Sequence, residues 1–160
     1  MLSNAIGHAP ERMWRPNTKF YFLAYHTVVF LEYYLTQPVA SYSPLFPYNL
    51  VEVENIPAEG IDDVLPARFY SQQEIVEGLD AISLKCKKLI LNASEETLNS
   101  PWIKHEEIEL HGLCPGIAED YTLLEILFYN LRHVQHHTAQ LNLLLRQQNG
   151  TAPDWVSLVE

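Results

Sequence analysis

Two capping boxes open long runs of helical periodicity in this chain. Ser71 is followed three residues later by Glu74, and Thr122 is followed by Glu125; in each pair the two side chains satisfy backbone N–H groups of the first helical turn. Apolar residues then recur every three or four positions, as they do along one face of an α-helix. The pattern predicts two helices, termed the third and the fourth, and the fourth ends at Gly150.

A second helix is predicted upstream of these two. Asn17 or Thr18 can cap its first turn. It must stop before Pro38, because the residue that precedes a proline disfavours helical geometry. The N-terminal stretch is at most a short first helix, since Gly7 and Pro10 interrupt it.

The segment 37–70 joins the second and third predicted helices and contains five of the ten prolines of the chain. No helical periodicity survives in it. A connection of this length can run from one end of a bundle to the other, whereas a tight hairpin needs only a few residues. We therefore expect one all-α domain over residues 1–160, with a short first helix and a long crossover between helices two and three.

Composition is typical of a folded globular domain, with 48% hydrophobic and 19% charged residues. No apolar run approaches the roughly 18 residues of a membrane span, and the N-terminus has no secretory pattern. The net charge of −10 argues against a nucleic-acid partner. Cys86 and Cys114 do not form a disulfide framework, so a reducing, cytoplasmic location is expected.

Most of the negative charge lies in residues 51–80, where eight carboxylates face the single Arg68. The simpler interpretation is a solvated connector, and the alternative is an acidic docking surface. The eight are Glu52, Glu54, Glu59, Asp62, Asp63, Glu74, Glu77 and Asp80.

His133 and His137 lie one turn apart on the fourth predicted helix. Residues at i and i+4 share a face, with Cβ atoms about 5–6 Å apart, so two imidazoles can converge on one metal ion. The neighbouring positions on that face are mostly apolar, so we expect the pair to point inward, where neutral imidazoles need partners. Taken alone, the spacing leaves two interpretations open: a metal site, or hydrogen-bonded core histidines.

His26 favours the metal site. It lies in the middle of the second predicted helix among apolar and aromatic residues, where an imidazole without a partner is unfavourable. Three nitrogen donors suit one divalent transition metal, such as zinc, nickel, copper or ferrous iron, and leave positions for water or substrate. His136 is displaced around the helix and is expected outside the ligand set, while His8, His105 and His111 are expected at the surface.

Several reaction classes lose support. Val134 breaks the His-Glu-x-x-His motif of zinc proteases, and neither a Gly-rich phosphate loop nor a Gly-x-Ser-x-Gly elbow occurs. No carboxylate is evident beside the three histidines as a general base. The sequence assigns no catalytic residue.

Two stretches resemble the signatures of the DinB-like family. Residues 22–35, around His26, are similar to its second-helix motif, and residues 129–146, around His133 and His137, are similar to its fourth-helix motif. The resemblance implies a four-helix bundle of up-down-down-up order, with one metal held by His26, His133 and His137. The family has a full first helix, so with a short one here either the bundle is partly open at that edge or another subunit covers it; dimers are common in the family, and a homodimer is expected.

Relatives of this family with assigned activity include bacillithiol S-transferases and mycothiol-dependent maleylpyruvate isomerases. The resemblance implies thiol-dependent transfer on a small-molecule substrate, in which a metal lowers the pKa of a low-molecular-weight thiol. A metal-dependent hydrolase and a non-catalytic metal-binding or stress-response scaffold are the alternatives. Candidate substrate-binding or ligand-supporting residues are Asn130, His136, Gln140 and Tyr33, although Asn130 and Gln140 can equally be polar groups at the core edge and Tyr33 a packing residue.

Overall fold

A computed structural model describes residues 1–154 and 156 of the chain. The fold is mostly helical, as predicted, and the fourth predicted helix is α5. The helices are α1 (Leu2–Gly7), α2 (Lys19–Tyr34), α3 (Gln72–Asn92), α4 (Glu95–Leu98) and α5 (Leu123–Asn149). Two short strands, β1 (Tyr48–Leu50) and β2 (Val64–Pro66), form one antiparallel pair. Neither strand nor the single-turn α4 was predicted.

Side-chain caps fix where the long helices begin. Thr18 Oγ1 accepts a hydrogen bond from the backbone N–H of Tyr21 at the start of α2. Complete capping boxes, with both reciprocal hydrogen bonds, open α3 at Ser71 and α5 at Thr122. At the other end of α5, Gly150 has a φ of +75°, a left-handed conformation that glycine adopts without a steric penalty. The predicted helix ends are therefore confirmed by their local chemistry.

α1 is short, as the sequence predicts, and packs against both α3 and α5. It ends at Gly7, and the Gln72 side-chain amide of α3 donates hydrogen bonds to the carbonyl oxygens of Ile6 and Ala9 just at that end. These contacts tie the end of α1 to the start of α3. The first helix is thus held in place although it contains fewer than two turns.

α2 is the central element of the core. Fourteen of its sixteen residues are buried, as expected for a helix that is apolar on every side. It packs against α5 and α3, and the buried His26 lies at its middle. None of the described helices combines the length and apolar character that crossing a membrane requires.

The segment 37–70 contains no α-helix, only two single turns of 3-10 helix and the β1–β2 pair. Tyr25 fastens it to α2, because its hydroxyl donates to the Pro47 carbonyl at 2.9 Å and its ring stacks on Tyr70 at 5.8 Å. β2 also contacts α2. The segment therefore lies on α2, and it carries residues just before β2 to the neighbourhood of His26.

Candidate metal centre

Three histidines from two helices converge at one point. His26 comes from α2, and His133 and His137 come from α5. One ring nitrogen of each lies within 4.8 Å of the other two. His26 Nε2 and His133 Nε2 are only 3.1 Å apart. The structure thus brings together the three residues that the sequence selects as metal ligands.

The helices account for this convergence. The i, i+4 spacing places His133 and His137 edge to face, with ring centroids 4.5 Å apart. Because α2 packs along α5, the His26 ring lies 5.1 Å from that of His133 and 4.8 Å from that of His137. Phe30, one turn along α2, covers His26 at 4.6 Å. The cluster therefore has an apolar wall on this side.

The spacing of the nitrogens suits a transition metal. Two nitrogen ligands at about 2.1 Å from one ion are about 3.0–3.4 Å apart in octahedral or tetrahedral coordination. The 3.1 Å between His26 Nε2 and His133 Nε2 falls within that range. The remaining separations are at most 4.8 Å.

Asp62 orients the first of these rings. His26 Nδ1 lies 2.7 Å from Asp62 Oδ2, and the other carboxylate oxygen accepts the backbone N–H of Val64 at 3.1 Å. When Nδ1 donates to the carboxylate, the lone pair is left on Nε2, which faces the other two histidines. A carboxylate behind a ligating histidine is a common device for fixing the tautomer and the ring orientation at metal sites.

Asp62 corrects the sequence interpretation of residues 51–80. We expected its carboxylate to be solvated and expected no carboxylate beside the histidines. Its contact with His26 depends on how 37–70 folds back over α2, and no local pattern in that segment carries this information. The contact became visible only in the structure.

Gln140 orients the His137 ring as Asp62 orients the His26 ring. Its side-chain carbonyl Oε1 lies 2.7 Å from His137 Nδ1, so donation from Nδ1 leaves the Nε2 lone pair of His137 for a ligand. The two residues are three positions apart on α5 and therefore share one face. Gln140 was a candidate for substrate binding or ligand support, and its position in the structure favours ligand support.

Electrostatics keep the two α5 imidazoles neutral. Burial lowers the pKa of His133 to about 3, with a smaller contribution from the neighbouring His26 ring. Burial also lowers the pKa of His137 to about 4, against the opposing effect of its hydrogen bond to Gln140. Neutral rings have the free lone pair that a metal ligand needs. Within the described chain, His133 Nδ1 is buried without a hydrogen-bond partner.

The other candidate residues lie around this group. The exposed His136 has its ring 5.0 Å from that of His137 but is not one of the three converging histidines. Asn130 is buried, and its side-chain amide donates to the Leu31 carbonyl on α2 at 3.1 Å. A recess of about 290 Å³ beside the cluster is lined by Tyr129, Arg132, His133 and His136. Of the three clustered histidines, His133 is the one that lines this recess.

Tyr33 lies away from the cluster, in the core. It is seven residues from His26 on α2, about 10.5 Å of helix rise, and its ring packs against Tyr42 and Trp102. No solvent reaches it, so the packing alternative describes it better than substrate binding. His111 differs from the expected surface position as well, because it is half-buried and its Nε2 lies 3.1 Å from the Val39 carbonyl.

The two thiols are poor nucleophiles. Burial raises the pKa of the Cys114 thiol to about 11 and also raises that of Cys86. At neutral pH both are therefore protonated, and the reactive thiolate form is scarce. Any thiol chemistry at the histidine cluster needs a thiol supplied from outside the chain.

Comparisons with known proteins return nothing: no family model, no curated protein and no solved structure matches this chain. The DinB-like resemblance of the two helical motifs therefore stays a prediction. The function has to be argued from the three histidines, their supporting hydrogen bonds and the recess beside them.

Proposed function

We propose that the chain is a metal-dependent enzyme of the DinB-like type, which binds one divalent transition metal through His26, His133 and His137 and uses it with a low-molecular-weight thiol. The observation that carries the proposal is the convergence of three imidazole nitrogens within 4.8 Å. Two of the rings are oriented by side-chain oxygens, those of Asp62 and Gln140.

The residues present fit such an ion. His26 Nε2 and His133 Nε2 lie 3.1 Å apart, which is a separation that two nitrogen ligands of one ion have. The depressed pKa values of His133 and His137 keep both rings neutral at neutral pH, each with one N–H and one free lone pair. An imidazole set of this kind accepts zinc, nickel or ferrous iron, and availability decides among them.

A divalent ion held there supplies Lewis acidity, which lowers the pKa of a coordinated thiol or water. The three imidazoles would hold this ion, Phe30 forms an apolar wall on one side of it, and the recess at His133 would admit the substrate. Both Asp62 oxygens already accept hydrogen bonds, which limits Asp62 as a general base. A coordinated thiol would lose its proton to solvent more readily than coordinated water, because the pKa of a free thiol already lies far below that of water, so we favour thiol transfer over hydrolysis.

The proposal includes a four-helix bundle of up-down-down-up order. Its support is the pairwise packing: α1 contacts α3 and α5, and α2 contacts the same two helices. Such a ring of contacts is what four helices around one core make. The non-helical segment 37–70 is then the crossover from α2 to α3.

The proposal also includes a homodimer. An apolar groove of about 420 Å³ lies between α3 and α5, with α2 at its floor. Ile90, Leu124, Phe128 and Leu131 line it and are all exposed. α1 packs against the same two helices, but none of its residues lines the groove. Contiguous exposed apolar surface of this kind is typical of an interface, and a second copy can bury the patch twice around a two-fold axis.

Turnover of a thiol with a generic electrophile tests the activity. Protein loaded with Zn²⁺, Ni²⁺ or Fe²⁺ should accelerate the reaction of 2-mercaptoethanol or cysteine with monobromobimane, and chelation should remove the acceleration. His133→Ala should abolish it, and His105→Ala, which changes an exposed histidine, should not. Metal binding without any acceleration, for any of these thiols, contradicts the enzyme proposal and leaves the scaffold alternative.

A further inference from the structure

The three clustered histidines are unequally supported. His26 Nδ1 and His137 Nδ1 each lie 2.7 Å from a side-chain oxygen, on Asp62 and Gln140. His133 Nδ1 is buried and has no partner among the described residues. If Nε2 of this ring binds a metal, Nδ1 must carry the proton, and a buried N–H without an acceptor is unfavourable.

An acceptor without a donor lies one helical turn away. Asn130 is 3% exposed, and its carbonyl Oδ1 is buried without a partner within the described chain. Its Nδ2 donates to the Leu31 carbonyl at 3.1 Å, which settles which end of the amide is free. Positions 130 and 133 are i and i+3 on α5, so their side chains share a face.

Other side chains near His133 are less suited to accept a proton from its Nδ1. Phe30 has no acceptor, and Tyr129 and Tyr34 present ring faces and edges to it. Thr138 and Asn142 also have buried oxygens without partners among the described residues. They lie five and nine residues further along α5, however, and nine residues correspond to about 13.5 Å of helix rise.

We infer that Asn130 is a positioning residue of the metal site: its Oδ1 accepts the Nδ1 proton of His133 when Nε2 of that ring binds the ion. The inference rests on the proposed metal site. It requires a rotation of the His133 ring, because the two atoms are not hydrogen-bonded to each other in the structure, where His133 Nε2 lies 3.1 Å from His26 Nε2. Each of the three ligands then has its own oxygen acceptor, from Asp62, Asn130 and Gln140.

Two substitutions at Asn130 separate this role from a structural one. Asn130→Asp keeps an acceptor oxygen, whereas Asn130→Leu removes it. Both lose the Nδ2 donor to Leu31, so both should lower the thermal stability of the protein, and Asn130→Asp should lower it more because it buries a carboxylate. Asn142→Leu is the matched control, since it removes the amide of a half-buried α5 residue whose Oδ1 is also buried without a partner among the described residues, nine positions from His133.

The dissociation constant for Zn²⁺ is measured by competition with a chromophoric chelator. We expect it to rise about 10- to 100-fold in Asn130→Leu, the range typical of lost supporting contacts, and to stay within about threefold of wild type in Asn130→Asp and Asn142→Leu. Equal weakening in Asn130→Leu and Asn130→Asp assigns Asn130 a structural role and overturns the inference. A Zn²⁺ dissociation constant of Asn130→Leu that equals the wild-type value also overturns the inference.

A second measurement does not depend on the variants folding. In Zn²⁺-loaded wild-type protein, ¹H–¹⁵N correlation spectra should show His133 protonated at Nδ1, with the proton protected from exchange and shifted downfield by a hydrogen bond. A His133 ring that binds through Nδ1 overturns the inference while leaving the proposed metal site intact. Failure of wild-type protein to bind Zn²⁺, Ni²⁺ or Fe²⁺ instead contradicts the proposed function, and this inference with it.

Discussion

Asp62 Oδ2 and His26 Nδ1 lie 2.7 Å apart, although 36 residues separate them in the sequence. The contact joins the non-helical segment 37–70 to the middle of α2, and the Val64 N–H holds the second carboxylate oxygen. The carboxylate is therefore fixed on both sides. Because Nδ1 of His26 is held by this carboxylate, Nε2 of the same ring faces His133 and His137.

Asp62→Ala should weaken metal binding. Loss of the carboxylate frees the His26 ring to rotate and to change tautomer, so the dissociation constant for Zn²⁺ should rise about 10- to 100-fold. Asp63→Ala is the control, because it removes one negative charge from the exposed neighbouring position. Chelator competition measures both constants. Equal effects of the two substitutions would mean that charge alone, and not the hydrogen bond, is responsible.

Stability should depend on pH below neutrality when the protein is kept in a chelator. Burial depresses the pKa of His133 to about 3 and that of His137 to about 4, whereas both rings have a pKa near 6.5 in the unfolded chain. Between about pH 4 and 6.5 the unfolded state therefore binds more protons than the folded state. The free energy of unfolding should rise with pH across this window and level off above it.

Denaturant titrations at pH 5, 6 and 7 measure this dependence. Replacing His133 and His137 together by Gln should flatten the curve, and His105→Gln should leave its slope unchanged. A wild-type curve that is already flat between pH 5 and 6.5 would show that the two imidazoles are not held neutral by burial.

Leu131→Glu should dissociate the proposed homodimer. Leu131 is 54% exposed and lines the groove between α3 and α5, and a carboxylate buried at that position has no partner. The dimer dissociation constant should rise at least about tenfold in sedimentation equilibrium. Leu143→Glu is the matched control, because Leu143 is 52% exposed on the same helix but is not among the residues that line the groove. A wild-type protein that is monomeric at 100 μM contradicts the dimer.

Tyr33→Phe should be neutral or stabilising. The Tyr33 hydroxyl is buried without a hydrogen-bond partner in the described part of the chain, so its removal relieves an unfavourable buried polar group. Tyr25→Phe is the contrasting substitution, since the Tyr25 hydroxyl donates to the Pro47 carbonyl at 2.9 Å, and it should cost about 1 kcal/mol. Thermal denaturation measures both. If Tyr33→Phe lost turnover while its stability stayed unchanged, Tyr33 would be a substrate-binding residue and not a packing residue.

Sequence reasoning worked best where the physics is local. The capping residues Thr18, Ser71 and Thr122 predicted the helix starts because a cap acts within one turn. The i, i+4 spacing placed His133 and His137 on one face for the same reason. The convergence of His26 with them needed α2 and α5 to be neighbours, which only the family resemblance suggested.

Sequence reasoning failed where a contact depends on the path of irregular chain. Asp62 reaches His26 because the β1–β2 pair and the anchoring of Tyr25 fold the segment 37–70 back onto α2. The sequence of this segment has no periodicity that predicts how it folds back, so the Asp62 carboxylate was expected to be solvated like the other acidic groups of residues 51–80. His111 was misplaced at the surface for a similar reason, since the loop that carries it packs against Tyr42.

Metal stoichiometry of protein prepared without an affinity tag tests the central claim most directly. Elemental analysis should find one Zn²⁺, Ni²⁺ or Fe²⁺ per chain, and X-ray absorption should find imidazole nitrogens at about 2.0–2.2 Å. The single changes His26→Ala, His133→Ala and His137→Ala should each abolish stoichiometric binding, whereas His136→Ala should retain one ion per chain. Wild-type protein that remains free of metal after incubation with all three ions, or a His136→Ala loss as complete as that of His133→Ala, would contradict the three-histidine site.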